Sequence, residues 1–402
     1  MSTAKKAQKL EDFEFDTSDV DRWVGVPLGG GQLKDSVHVN DVRRWAQGMQ
    51  NPNPLYFDDG YAAKGRFGRI LAPQSFAVCT DDSHGAAPAI QGNIAGTHML
   101  FGGDEWWFFG PRIEHGDVMR QERMLFDYKV TLTKFAGPTM FSRGDTSYIN
   151  DRGVVVCKQR STSIRYRADL ARERGEFAGQ KEPEWTDDQL AEIEQQKLDY
   201  YDTFLDLGHG RRLGVKAGDK LPTRPIGPHS IQTFTSEWRA FLMTVWGAFG
   251  KDSGPSSLFS AGWLPEMSRD LEAAKKDPTL ADGLYYGPSR GHVQDRYAQL
   301  IGMPRGYGYG ASMGAWVLDY LGNWLGEWGE ILHSKMDYRS PALTGDVTYL
   351  NGEVLGIEEA SPEHGRQQPI ASVRVVMTNQ RDEVMASGVA EVKLPTEALP
   401  AQ

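Results

Sequence analysis

The chain carries the same landmarks twice, in the same order. Asn53-Pro54-Leu55-Tyr56 is followed by Tyr61-Ala62, and His292 by Tyr297-Ala298, so Tyr56 to His292 and Ala62 to Ala298 are both 236 residues apart. Gly116-Asp117-Val118 and Gly345-Asp346-Val347 repeat at 229, as do Asn150 and Asn379. A duplicated unit must fold both copies with one order of elements, which excludes most topologies open to a chain of 402 residues. The copies differ where chemistry would sit, because only the second has a histidine.

Each copy reads as helix and loop first, then antiparallel strands. Residues 37–46 form a helix signal with Asn40 as its cap, and 234–241 form its counterpart, capped by Thr235 or Ser236. These helices are about 195 residues apart, so some 41 residues are inserted before His292, at about 250–286. The Gly, Ser, Pro and Lys content there predicts a long loop carrying a short helix at 267–276. Strand-prone runs follow each Gly-Asp, at 124–132 and 154–166, then 372–378 and 383–394. Before them each copy has a longer helix. At 312–325 it is apolar on most faces, as expected of a helix wrapped by a sheet.

A polar segment, 172–197, joins the copies, with a capping box from Thr186 to Gln189 and a staple from Trp185 to Leu190. We divide the chain into a tail (1–34), a first unit (35–170), a helical linker (171–213) and a second unit (214–397). Size and an apolar fraction of 40% permit two domains. A net charge of -10 gives no basic excess for a nucleic-acid backbone. Cys79 and Cys157 are too few for a disulfide framework and read as buried thiols of a reducing cytoplasm. The first nine residues lack the apolar core of a signal peptide, and the longest apolar stretch, 240–249, is too short to span a bilayer.

Asn53-Pro54-Leu55, with the later Tyr-Ala pair, resembles the hydratase motif of the MaoC-like (R)-specific enoyl-CoA hydratases and dehydratases, which reads Gly-Asp-x-Asn-Pro-Leu-His. Asn51 stands in place of its Asp and Tyr56 in place of its His. Ala72-Pro73, Trp107 and Pro111 before Gly116-Asp117, and 148–153 are similar to the FAS1-like dehydratases of that group; Asn323-Trp324-Leu325-Gly326 and Thr378-Asn379-Gln380-Arg381 are similar to its C-terminal half. The resemblance covers about 35–395. It implies an α+β fold, a tandem double hot-dog in which each half wraps an antiparallel sheet around a long central helix. It also implies an acyl-CoA substrate with no separate cofactor, no metal, and assembly as a homodimer or higher homo-oligomer.

Hydration of a 2-enoyl thioester needs a base for water, a proton for the α-carbon, and donors for the thioester oxygen. His292 matches the family histidine and is the candidate acid/base; a capping or surface role is the alternative. Gly310, inside Gly306-Tyr307-Gly308-Tyr309-Gly310, would offer its N–H at a helix start, unless these glycines only make a flexible loop. Pro73 in the first half has no N–H, a second reason to place chemistry in the second half. Gly287 stands where the Asp of the dyad belongs, leaving Asp295, Tyr286, Asp282, Asn51 or Tyr56 as partners of His292. Asn51, Asn53, Tyr56, Tyr286, Tyr309 and Arg305 are the candidate substrate-binding residues, and Arg66, Arg69, Arg305 and Arg339 the cations available to CoA phosphates. Asp117 and Asp346 read as turn devices, and Asp81, Asp82 and His84 as a solvated helix end rather than a metal cluster. The leading function is reversible hydration of a 2-enoyl-CoA, on a bulky or branched acyl group, with the first half noncatalytic. A thioesterase and a noncatalytic acyl-CoA-binding protein are the other two readings.

Overall fold

The computed structural model describes residues 16–29, 36–81, 83, 85–242, 290–365 and 367–397. The expected insertion at 250–286, with Asp282, Tyr286 and Gly287, lies outside them, as do Asp82 and His84.

Ten antiparallel strands form one sheet. In the first half these are β1 (Pro27–Leu28), β2 (Thr97–Phe108), β3 (Arg120–Thr133), β4 (Gly137–Ile149) and β5 (Val155–Arg167). In the second they are β6 (Lys220–Ile226), β7 (Glu330–Tyr338), β8 (Thr348–Glu358), β9 (Ile370–Asn379) and β10 (Val384–Lys393). Their spatial order is β1-β3-β4-β5-β2-β7-β10-β9-β8-β6. Read from either edge, it is the same sequence of elements, so the duplication in the chain has become a pseudo-two-fold in space. The axis runs through the β2–β7 seam, where Gly103 to Trp107 pair with Asp337 to His333. Gly103 adopts φ 153°, and a Cβ there would lie 2.5 Å from the Met336 carbonyl, so the seam closes only on glycine. One core runs through both halves, from Trp45 and Phe76 to Trp316 and Leu350. The two units therefore share a single hydrophobic interior rather than folding as separate bodies.

The central helix of the second half, Gly310–Leu325, is buried along its length apart from Gly310 and Gly322. The first half departs from expectation here. In place of a long helix it has a 3-10 helix, Gln74–Thr80, and a second short one, Ala87–Ile90. The cause lies at Asp81, which is fully buried instead of solvated. Its Oδ2 pairs with Arg123 at 2.9 Å, while its Oδ1 accepts the Ser83 N–H at 2.7 Å and the Gly85 N–H at 3.3 Å. That turn takes the chain out of the helical path, and Pro88 prevents its return.

Caps also move. Helix Val39–Gly48 starts from His38, whose N–H is accepted by Asp41 at 2.9 Å, not from Asn40. Helix Ile231–Leu242 starts from Ser230, which exchanges hydrogen bonds with Thr233, while Thr235 and Ser236 turn their hydroxyls to carbonyls one turn back. The linker helix, Asp187–Leu207, has the expected box between Thr186 and Gln189. Leu190 stays 39% exposed, and the Trp185 indole donates to the Gly345 carbonyl, tying the linker to the second half.

Candidate functional site

The segment before the central helix is held rigidly. The Arg305 guanidinium is buried, donating to the Thr344 carbonyl at 2.7 Å and to Asp346 at 2.9 Å. Asp346 also accepts from Gln380 at 2.7 Å, so it anchors a charge network and does more than shape a turn. Arg305 is thereby corrected from a candidate substrate cation to a structural one, because both its ion-pairing face and its surroundings are closed to a phosphate. Gly306 N–H donates to Asp295 at 2.9 Å and Gly308 N–H to the Ala342 carbonyl at 2.7 Å. These bonds make 306–310 a fixed loop.

His292 ends a short 3-10 turn, Arg290–His292, and packs on that loop. Its Nδ1 is 2.6 Å from the Tyr307 carbonyl, and its ring stacks on Tyr309 at 4.0 Å and 28°. A carbonyl oxygen only accepts, so Nδ1 carries the proton and Nε2 is left as the basic nitrogen. Tyr309 is the N-cap of the central helix, and its own carbonyl takes the N–H groups of Ser312 and Met313. The Gly310 N–H has no acceptor among the described residues. An imidazole in a defined tautomer thus adjoins the positive end of a 16-residue helix. Phe101 of β2 closes on Gly310, where a Cβ would lie 2.5 Å from it, so the first half builds one wall of this site.

Asp295 does not serve His292. It is exposed at the start of helix Asp295–Leu300, and its Oδ1 is taken by the Gly306 N–H. A carboxylate beside the first turn of the central helix is Glu237, on helix Ile231–Leu242. Glu237 is fully buried, and the Ser312 hydroxyl lies beside it, too poorly aligned for a good hydrogen bond. Burial pushes its carboxyl up to about 8, and the Ser312 hydroxyl acts in the other direction. Its signal was in the sequence: Glu237 falls three residues after Phe234 and four before Phe241, on the apolar face of its helix.

Asn51, Asn53 and Tyr56 come together elsewhere, on the C-terminal half of the central helix. Asn53 caps the 3-10 turn Pro54–Tyr56 and donates to Asn323 at 2.9 Å; Asn323 donates in turn to Asn51 at 3.1 Å and to the Tyr200 hydroxyl at 3.3 Å. One turn before Asn323, the buried Asp319 accepts from Ser75 Oγ at 2.5 Å, and Ser75 accepts from the Trp45 indole at 2.9 Å. Desolvation raises Asp319 to about 6, opposed by Arg224, Ser75, Asn51 and Arg112. Tyr56 is pushed up to about 12 by burial, although Arg112 beside it acts in the other direction. Motif reading missed Asp319 and Arg112 because neither belongs to the first-half motif in sequence. Of the other cations, Arg66 Nη1 donates to the Glu327 carbonyl at 3.1 Å, and Arg69 pairs with Glu114 at 2.6 Å.

Asp117 is a turn device as expected, accepting the Glu114 N–H at 3.0 Å. Both cysteines are free and buried. Among the described residues no group of three His, Cys, Asp or Glu is arranged to hold a metal, and no helix is long and apolar enough to cross a membrane.

Residues 22–159 match the family model of the FAS1-like, dehydratase domain region. No curated protein matches the sequence. Among solved structures, a MaoC-like dehydratase superposes with TM-score 0.57 at 14% identity, over 93% of this chain and 99% of the other. A MaoC domain protein from Chloroflexus aurantiacus J-10-fl gives 0.51 at 12%, over 99% and 100%. A Mycobacterium tuberculosis protein described as a double hotdog gives 0.49 at 12%, over 93% and 97%. At these identities the likeness is one of fold. The fold is the double hot-dog seen in these MaoC-like dehydratases, and its first half is similar to the FAS1-like dehydratase region.

Proposed function

We propose that this double hot-dog chain is a hydro-lyase acting on acyl thioesters, reversibly adding water to a 2-enoyl-CoA to give a 3-hydroxyacyl-CoA. The observation that carries the reading is His292: its Nδ1–H is held by the Tyr307 carbonyl, which leaves Nε2 basic beside the uncapped start of the central helix. Nε2 takes a proton from water as the water oxygen bonds to the β-carbon. The π electrons move toward the thioester oxygen, which the Gly310 N–H and the helix dipole stabilise, and the imidazolium returns its proton to the α-carbon. Atoms balance without a cofactor. The Phe101 and Tyr309 rings border the site and suit an acyl group larger than crotonyl. Free, buried thiols fit a reducing cytoplasm, and homo-oligomerisation of double hot-dog units completes the proposal.

Incubation with a panel of enoyl-CoAs, followed by mass, tests this. Hydration adds about 18 Da, the mass of one water; release of free CoA would mark a thioesterase, and an unchanged panel a noncatalytic binder. His292→Ala is expected to lose about 10²–10⁴-fold in turnover. Full activity in that variant would remove His292 from the mechanism.

A further inference from the structure

The outer face of the sheet, opposite the central helix, carries charged residues that the site around His292 does not use. Along β7, Lys335 and Asp337 are exposed while Ser334, Met336 and Tyr338 are buried. The register carries this face across five strands: Asp127 of β3 opposes Arg143 of β4, Arg143 opposes Thr162 of β5, Thr162 opposes Gly103 of β2, and Gly103 opposes Asp337. A neighbouring row runs Asp145, Arg160, Glu105, Lys335. Long side chains therefore surround a centre made of Thr162 and the Gly102-Gly103 pair, which have little or no side chain to fill it. The result is a groove of about 580 Å³, lined by residues from Lys129 on β3 to Arg339 after β7. Small-molecule sites have volumes of roughly 300–1,000 Å³.

The charge of the groove runs against that of the chain. Five cations line it against three carboxylates on the same face, in a protein of net charge -10. A further carboxylate, Asp104, is turned into the core, where Trp106 and Tyr338 hold it. Arg143 Nε already donates to Asp127 at 2.7 Å, Arg160 Nε to Asp145 at 2.7 Å, and Glu105 is paired with His333 at 2.9 Å. Lys129, Lys335, Arg339 and Asp337 are exposed and make no ion pair among the described residues. Lys129 lies over the Phe141 ring of the groove wall at 5.7 Å. Four strand spacings, about 19 Å, separate β3 from β7, so the unpaired cations face each other across more space than one phosphate fills. Cations on both sides, a carboxylate, the Thr162 hydroxyl and an aromatic wall match a ligand with anionic groups, sugar hydroxyls and a flat ring.

We propose that this groove is a nucleotide site, in which Lys129, Lys335 and Arg339 pair with phosphates, Asp337 and Thr162 hydrogen-bond the sugar, and the base lies against Phe141. The nucleotide comes either free or as the end of an acyl-CoA, and the second source rests on the hydratase reading. Position joins the groove to that reading. The β2–β7 seam stops at Gly103 and Asp337; beyond it β2 continues on β5 alone to Thr97, while the Arg339 N–H turns to the Met385 carbonyl at 2.8 Å. The groove lies over this fork, and Gly102 in it directly follows Phe101, which closes on Gly310 from the other face.

Isothermal titration of the full chain with ADP, coenzyme A and uncharged adenosine tests the site. ADP should bind at about one per chain, and adenosine at least about tenfold more weakly, because it lacks the charge-assisted contacts. Combining Lys335→Gln with Arg339→Gln should weaken ADP at least about tenfold, and Lys335→Arg alone should keep it. These side chains are exposed, and circular dichroism checks that the variants fold. Failure of ADP and CoA to bind, or ADP binding that survives the double substitution and Lys129→Gln unchanged, overturns the proposal. The two sources separate kinetically. If the acyl-CoA supplies the nucleotide, CoA displaces ADP, and the double variant raises KM for an enoyl-CoA about tenfold at unchanged kcat, but not for an enoyl N-acetylcysteamine thioester, which has no nucleotide. ADP bound alongside CoA supports a free nucleotide instead. Hydration of the N-acetylcysteamine thioester with no nucleotide binding sinks only the groove, whereas nucleotide binding with neither thioester hydrated sinks only the hydratase reading.

Discussion

Glu237→Gln should make the protein more stable at pH 8 and leave it nearly unchanged near pH 5. The carboxyl is fully buried with only the Ser312 hydroxyl beside it, and burial pushes it up to about 8 in the folded chain, against 4.5 when unperturbed. Between those two values the unfolded chain has released this proton and the folded chain retains it, so stability falls as pH rises. One proton corresponds to a slope of about 1.4 kcal/mol per pH unit. Over the interval from 4.5 to 8 that sums to about 5 kcal/mol for a fully buried group. Glutamine keeps the shape and cannot ionise, so the variant lacks this slope. Urea unfolding of both proteins at pH 5, 6.5 and 8 measures the gap, and contributions common to both, including Asp104 and Asp319, cancel in the difference. A gap that is constant with pH would refute the reasoning, since a lost or gained contact alone carries no proton.

Asn323→Ala should cost about 3 kcal/mol, because it strands the Asn53 amide and removes the donor to Tyr200 inside the core. A double-mutant cycle with Asn53→Ala, read by urea unfolding, should return a coupling of about 1–2 kcal/mol. Arg305→Ala should destabilise by about 3–5 kcal/mol, since Asp346 would keep a buried charge without its partner; a raised KM for CoA substrates with unchanged unfolding would instead restore Arg305 as a phosphate ligand. Gly314→Ala should cost about 1–3 kcal/mol in thermal unfolding. Its new Cβ would meet Asp104 Oδ2 at 2.3 Å, and that carboxylate cannot yield because Trp106 and Tyr338 hold it at 2.9 and 2.8 Å.

The duplicated landmarks were legible because they sit where the fold leaves little choice. Gly116 and Gly345 both have positive φ in the turns before equivalent strands, β3 and β8, and the strand-prone runs became β3, β5, β9 and β10. What the pattern could not reveal was decided by partners distant in the chain. Residues 74–80 are apolar and helix-compatible, yet Asp81 needs Arg123, 42 residues on, and the turn that serves this pair ends the helix early. Arg305 beside a glycine loop looks the same in sequence whether its partner is a phosphate or Asp346. His38 could outcompete Asn40 as a cap because Asp41 closes the box behind it.

The same long-range logic bears on what the first half is for. A copy that had merely lost its catalytic residues would leave an apolar filling where Tyr56 stands. Instead the second half inserts Asp319 there, Asn323 holds the altered motif from behind, and Phe101 of the first half closes on Gly310 in exchange. Each half thus lends side chains to the other's site across the β2–β7 seam. Buried polar groups are costly unless partnered, and they are concentrated along one face of the central helix, at Asp319 and Asn323, one turn apart. The altered motif is therefore bound into the shared core as a polar surface matched to the second half, which constrains both copies to fold and change together.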